Sequence, residues 1–134
     1  QPYITAERIP RTELSKPKAV GTVHLHTGGQ SWVLSLRECS VDCVDAEIIQ
    51  NRIFEGLFGI EDARNNPKLR YIPGTMDSHQ LIEHSDYRPE SAIFEMHPVS
   101  TDQIKASADR GGFLPPKSSW VEPKLRSGLF IHEI

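Results

Sequence analysis

The stretch Thr27-Gly28-Gly29-Gln30 constrains this chain most, because it separates two β-rich runs. Before it, Ala19 to His26 sets Val20 and Thr22 alternating against polar or small neighbours; after it, Ser31 to Arg37 places Trp32, Leu34 and Leu36 on one face. Successive strand side chains point to opposite faces, and glycines supply the positive φ that a tight two-residue turn requires. The pattern predicts a β-hairpin, half buried and in need of further partners.

Those partners are sought in the rest of the chain. The first eighteen residues carry Pro2, Pro10 and Pro17 among charges, which suits an extended lead-in segment or linker with one edge strand over Tyr3 to Ile9. From Asp42 the period changes. Ile49, Ile53 and Leu57 share a face with Phe54 and Phe58 beside them, predicting a buried amphipathic helix over 42–58, capped by Asp42 or Asp45 and ended by Gly59. Leu69 to Ile72 reads as a short strand stopped by Pro73-Gly74. Asp77-x-x-Gln80 and Ser100-x-x-Gln103 both fit the capping box, with Met76/Leu81 and Val99/Ile104 as hydrophobic staples. Ala92 to Met96 between them reads as a strand, Gly111-Gly112 stops the second helix, and Leu129 to Glu133 forms a last strand. The expected architecture is one α+β domain over 19–134, with a mixed, mostly antiparallel sheet of about five strands and three helices packed on one face. The 69–96 unit would be a right-handed parallel crossover.

Composition bounds the function. A chain of 134 residues with 37% hydrophobic and 25% charged residues suits a single core. The net charge of -3 is spread along the sequence, so nucleic-acid binding is disfavoured. No apolar stretch approaches the ~20 residues of a bilayer-spanning helix, and no leader pattern is present, so a cytoplasmic protein without a membrane partner is expected. Cys39 and Cys43 are too sparse for a disulfide framework, and their acidic neighbours Glu38, Asp42 and Asp45 raise thiol pKa values, which disfavours a reactive thiolate.

Chemistry concentrates in Leu114 to Phe130. Pro115-Pro116 restricts the backbone before Lys117, Ser118 and Ser119; Lys124 and Arg126 follow beyond Pro123. These cations and hydroxyls suit a small phosphorylated ligand, with Arg126 able to bind bidentately and Trp120 offering a flat face to a base or a cover over the site. The plainer alternative is a proline-rich crossover into a terminal strand, its charges solvated and Trp120 in the core. His24 and His26, two apart on a strand, share a face where a metal would bridge them. No third ligand stands in a defined relation to them and an exposed hairpin face holds polar residues anyway, so ordinary exposed polar side chains are expected there and no metal is assigned. His79 and His84, five apart on a short helix, do not share a face well; His97 and His132 read as hydrogen-bonded side chains.

The run Pro115-Pro116-Lys117-Ser118-Ser119-Trp120, then Pro123-Lys124 and Ser127-Gly128-Leu129, resembles the C-terminal signature of the bacterial family called domain of unknown function 1015, its Bacteroidetes-like members above all. The likeness extends from Val20 to Ile134 through Leu57-Phe58-Gly59-Ile60, Arg70-Tyr71-Ile72 and Phe94 to Pro98, with Ser119 where many relatives have threonine and Phe113-Leu114 where methionine is usual. The family's N-terminal half carries a Gly-His-His-Arg-type motif similar to the ParB, sulfiredoxin and free-serine-kinase group; that motif is absent from this chain. The resemblance implies the C-terminal domain of a longer enzyme that moves a phosphoryl group between serine and an adenine nucleotide, as a serine kinase or in the reverse direction from phosphoserine. It further implies ADP or ATP and magnesium for the parent but no cofactor in this fragment. The fragment would be inactive alone, partnered by the parent's N-terminal half. Lys117, Ser118, Ser119, Lys124 and Arg126 would then meet phosphate. A structural or homodimerising module is the alternative.

Overall fold

The computed structural model describes residues 3–37, 44–86 and 90–119. Within them lies an open antiparallel sheet of four strands, β1 (Ile4–Ile9), β2 (Thr22–Thr27), β3 (Gln30–Leu36) and β4 (Ala92–Met96), in the order β1-β3-β2-β4. The hairpin is present as expected. Thr27 faces Gln30 across Gly28 and Gly29, whose φ values of 53° and 72° are the positive pair that matches the twist of two strands joined by two residues. That turn sets the register, placing His24 opposite Val33 and His26 opposite Ser31. β1 pairs with β3 along its whole length, from Ile4 with Leu36 to Ile9 with Ser31, and forms the edge strand that Tyr3 to Ile9 suggested.

One face of the sheet is apolar. Val23, Leu34 and Leu36 are buried beneath Ile48, Ile49 and Ile53, with Ile4, Leu25, Phe54, Phe94 and Met96 around them. Phe54 meets Phe94 edge to face at 5.7 Å. The covering helix, α1, begins as Asp45–Ile48 and continues as a wider π-helical segment, Ile49–Glu55. Gly59, at φ 64°, ends the helical run as its position suggested.

The helix departs from expectation at both ends. Asp45 is its first residue rather than its cap, and its carboxylate accepts from the Gly21 amide at 2.8 Å, tying the helix to the turn before β2; Asp42 lies outside the described residues. At the other end the amides of Leu57 and Phe58 both donate to the Ile53 carbonyl. A π segment carries more residues per turn, so a stripe read at 3.6 residues per turn drifts out of phase with the core. Leu57 and Phe58, expected on the buried side, are 75% and 56% exposed.

Leu69 to Ile72 is not a strand. Pro67 and Pro73 flank it, Leu69 donates back to the Asn66 carbonyl in a turn, and the Tyr71 hydroxyl donates to the Ala63 carbonyl at 2.8 Å. With no strand there, no parallel crossover forms, and β4 instead joins β2 antiparallel. The sheet therefore has four strands among the described residues rather than about five; the expected Leu129 to Glu133 strand lies outside them.

Both capping boxes are formed. Asp77 and Gln80 exchange backbone-to-side-chain bonds of 2.9 and 3.0 Å at the start of α2 (Ser78–Asp86), and Ser100 and Gln103 do the same at the start of α3 (Thr101–Asp109). The helices do not share one face of the sheet. Phe94 and Met96 point into the core beneath α1, so Glu95 between them points to the opposite side, where the Ser78 hydroxyl of α2 meets it. A strand with polar residues on that side needs a second covering element, and α2 supplies it.

Because the Asp77 box satisfies an otherwise orphaned helix amide, Asp77→Ala is expected to lower the unfolding free energy by about 1 kcal/mol. Urea denaturation monitored by circular dichroism would measure it; an unchanged midpoint would show that the cap adds nothing.

Candidate functional site

The second face of the sheet carries a buried polar cluster. His24 and His26 project there from β2, since Val23 on the same strand belongs to the apolar core. Register brings Glu95 of β4 directly across from His24, and Ser31 of β3 directly across from His26. α2 closes over them with Ser78, its first residue. His26 is 0% exposed, His24 6%, Glu95 8% and Ser78 3%, so these polar atoms depend on one another rather than on bulk water.

The bonds run in one direction across the cluster. The Ser78 hydroxyl lies 2.9 and 3.1 Å from the two Glu95 oxygens. Glu95 Oε2 is 3.1 Å from His26 Nε2, and His26 Nδ1 is 2.7 Å from the Ser31 hydroxyl. An imidazole donating to Glu95 through Nε2–H has its lone pair on Nδ1, where the Ser31 hydroxyl can donate; with the proton on Nδ1 the same hydroxyl accepts. Ser31 thus supports either tautomer.

His24 is held differently. Its ring lies 6.3 Å from that of His26, edge to face. It bonds to the backbone of Ser15, while its Nδ1 is buried without a hydrogen-bond partner and sits 3.8 Å from Glu95 Oε2. Burial pushes the His24 pKa below its usual value, against the pull of the Glu95 carboxylate and with the help of the neighbouring His26. Its Nδ1 thus faces a carboxylate oxygen at a distance too long for a hydrogen bond.

Chemically the arrangement can hold a positive charge. His24, His26 and Glu95 each offer a donor atom, all within 4.8 Å of one another. Neither Glu95 nor the two serines was evident as a partner in the sequence. The available signal was a carboxylate in the middle of the otherwise apolar Ala92-Ile93-Phe94-Glu95-Met96, on the side opposite Phe94.

The residues singled out for phosphate contact fall elsewhere. Pro115 to Ser118 form a turn in which the Ser118 amide and hydroxyl both bond to the Pro115 carbonyl, at 3.3 and 2.7 Å. Lys117 stands at the exposed apex with φ 61°, the described non-glycine residue in the left-handed region. Ser119 is exposed beside it. Pro115 and Pro116 border an open depression that Glu55, Glu61, Asp62 and Arg64 also line. The Asp62 carboxyl is held below its usual range by bonds from the Asn65 side chain and the Arg64 amide. Trp120, Lys124, Arg126, His132 and both cysteines lie outside the described residues. His79 and His84 are exposed on α2, and no described helix is long and apolar enough to cross a membrane. No protein family, curated protein or solved structure matches this chain.

The depressed His24 pKa has a sign that can be checked. As pH falls through about 6.5 the unfolded chain takes up the proton first, so this histidine's contribution to stability is intact above that value and declines below it. In chelator-treated protein, the stability difference between wild type and His24→Gln should shrink on going from about pH 7.5 to 5.5. Parallel profiles by urea titration would rule out a titrating His24.

Proposed function

We propose that this chain is the C-terminal domain of an enzyme that transfers a phosphoryl group between serine and an adenine nucleotide, related to the domain of unknown function 1015 family. In this reading the Pro115–Ser119 turn contributes phosphate contacts from one side of the parent's active site, and the fragment is inactive by itself. The observation that supports it most is the backbone of Lys117. A left-handed lysine costs roughly 1–2 kcal/mol where glycine would be strain-free, and Pro116 before it presets the turn. The ammonium is exposed at the apex, while the Ser118 hydroxyl is engaged in holding the turn, so Ser118 acts as a brace and Lys117 as the contact. Lys124 and Arg126 would add to it, and Trp120 would cover a base. Catalysis of this kind is positional and electrostatic, with magnesium and ADP or ATP bound by the parent.

The test is a coupled assay of the longer protein with phosphoserine, ADP and magnesium. Lys117→Asn keeps a residue tolerant of the left-handed region but removes the charge. Loss of a charge-assisted phosphate bond should lower kcat/KM by about 10- to 100-fold with unchanged circular dichroism. Wild-type rates in the variant would dismiss the reading.

A second reading, a structural or self-associating module, draws on the exposed side chains Leu57, Phe58 and Phe113, the last 94% exposed. At the start of the chain Ile4 packs on the core, while Tyr3, 58% exposed, carries the Arg52 guanidinium over its ring at 4.9 Å. Sedimentation velocity should show mass rising with concentration; a constant monomer would remove this alternative.

A further inference from the structure

We propose that His24, His26 and Glu95 form a binding site for a divalent transition ion, zinc before others, independent of any chemistry at the Lys117 turn. The donor set is two imidazoles and a carboxylate, the combination that leaves a fourth position of a four-coordinate zinc open. Zinc takes such donors at about 2.0–2.2 Å, which sets tetrahedral neighbours about 3.4 Å apart. The separations of Glu95 Oε2 from His26 Nε2, 3.1 Å, and from His24 Nδ1, 3.8 Å, bracket that value. Drawing the two rings together requires side-chain adjustment, since the full set of donor atoms spans up to 4.8 Å.

Two further observations point to an ion rather than to a closed hydrogen-bond network. The first is the Nδ1 atom of His24, more than nine-tenths buried, without a partner and directed at a carboxylate oxygen. In a closed hydrogen-bond network this nitrogen would have a partner within bonding distance; a cation held between it and the carboxylate would supply one. The second is the layer behind the donors. Metal-bound histidines are oriented by a hydrogen bond at the other ring nitrogen. Here His26 Nδ1 has the Ser31 hydroxyl and Glu95 has the Ser78 hydroxyl. Binding would transfer the His26 proton to Nδ1, a tautomer Ser31 accepts equally. The depth of the site disfavours a magnesium or calcium ion, which would ask for more oxygen donors than one carboxylate provides. It equally disfavours an iron centre with three open positions, because the buried cluster leaves little room beside the three donors.

The experiment is zinc titration of chelator-stripped protein by calorimetry, with cobalt substituted afterwards to report coordination number by its visible absorption. Wild type should bind one equivalent per chain, raise its melting temperature, and give the intense cobalt bands of a four-coordinate ion. His24→Gln should weaken zinc binding by at least 100-fold. Ser31→Ala, which leaves all donors in place and tolerates folding better, should weaken it about 10- to 100-fold. Circular dichroism identifies any variant that has unfolded. A folded wild type that binds no zinc at micromolar concentration overturns the proposal. So does binding that survives His24→Gln and Ser31→Ala but is lost in Cys39→Ser, which would move the site to the cysteines.

Discussion

The two-residue turn at Gly28 and Gly29 is the constraint on which the rest depends, because strand pairing has a period of two. With Thr27 facing Gln30, Val23 and Leu25 of β2 join Ile49 and Ile53 in the apolar core while His24 and His26 face the side that α2 covers. A slip of one residue would exchange the faces, setting His24 and His26 against the isoleucines of α1 and Val23 against Ser78. The register is doubly held, since β4 pairs with β2 so that Phe94 and Met96 meet Leu25 and Val23 while Glu95 meets His24. Hydrophobic burial on one side thereby fixes the geometry of the polar side. Fully burying an isoleucine or valine is worth about 1.5–3 kcal/mol, so the few side chains of the apolar face far outweigh any preference of the histidines.

That polar side is costly by comparison. Moving an ionised carboxylate out of water costs several kcal/mol even after relaxation, and pairing returns it only when the remaining lone pairs are satisfied. Glu95 obtains two donors, His26 and Ser78. His26 obtains two partners, whereas the Nδ1 of His24 obtains none. Well-packed apolar residues at these positions would give a more stable domain. The cluster is therefore not explained by stability, and an ion between the donors accounts for the atom that the hydrogen bonds leave over.

Much of this was legible in the sequence where one local rule decided the outcome. The Gly-Gly turn, the two capping boxes, the Ala92 to Met96 strand and the Gly59 stop each depend on residues adjacent in the chain, and each is present. The misreadings share a cause in tertiary context. Local sequence offers Asp42 or Asp45 as the cap, because nothing in it shows that the Gly21 amide stands 2.8 Å from the Asp45 carboxylate. Leu57 and Phe58 were read as buried because a π segment has no simple sequence signature. The pair His24 and His26 was visible at once, yet its third donor stands sixty-nine residues beyond His26 and is brought there only by β4 pairing with β2. Sequence spacing locates ligands on one strand; it does not locate those contributed across a sheet.

The two candidate sites differ in what their surroundings allow. Lys117 is exposed, and a single charge pair at 4 Å in water is worth only about 1 kcal/mol, so one ammonium on a turn cannot hold a phosphorylated ligand against solvent. A phosphate site there would require either the remainder of the proposed longer enzyme or the cations that follow Pro123 to converge on the same anion and exclude water. The buried cluster needs no such help, because its donors already lie together in a medium where the same charge interacts several times more strongly. An ion-binding role can thus be complete within this domain, whereas a phosphoryl-transfer role is by its nature shared.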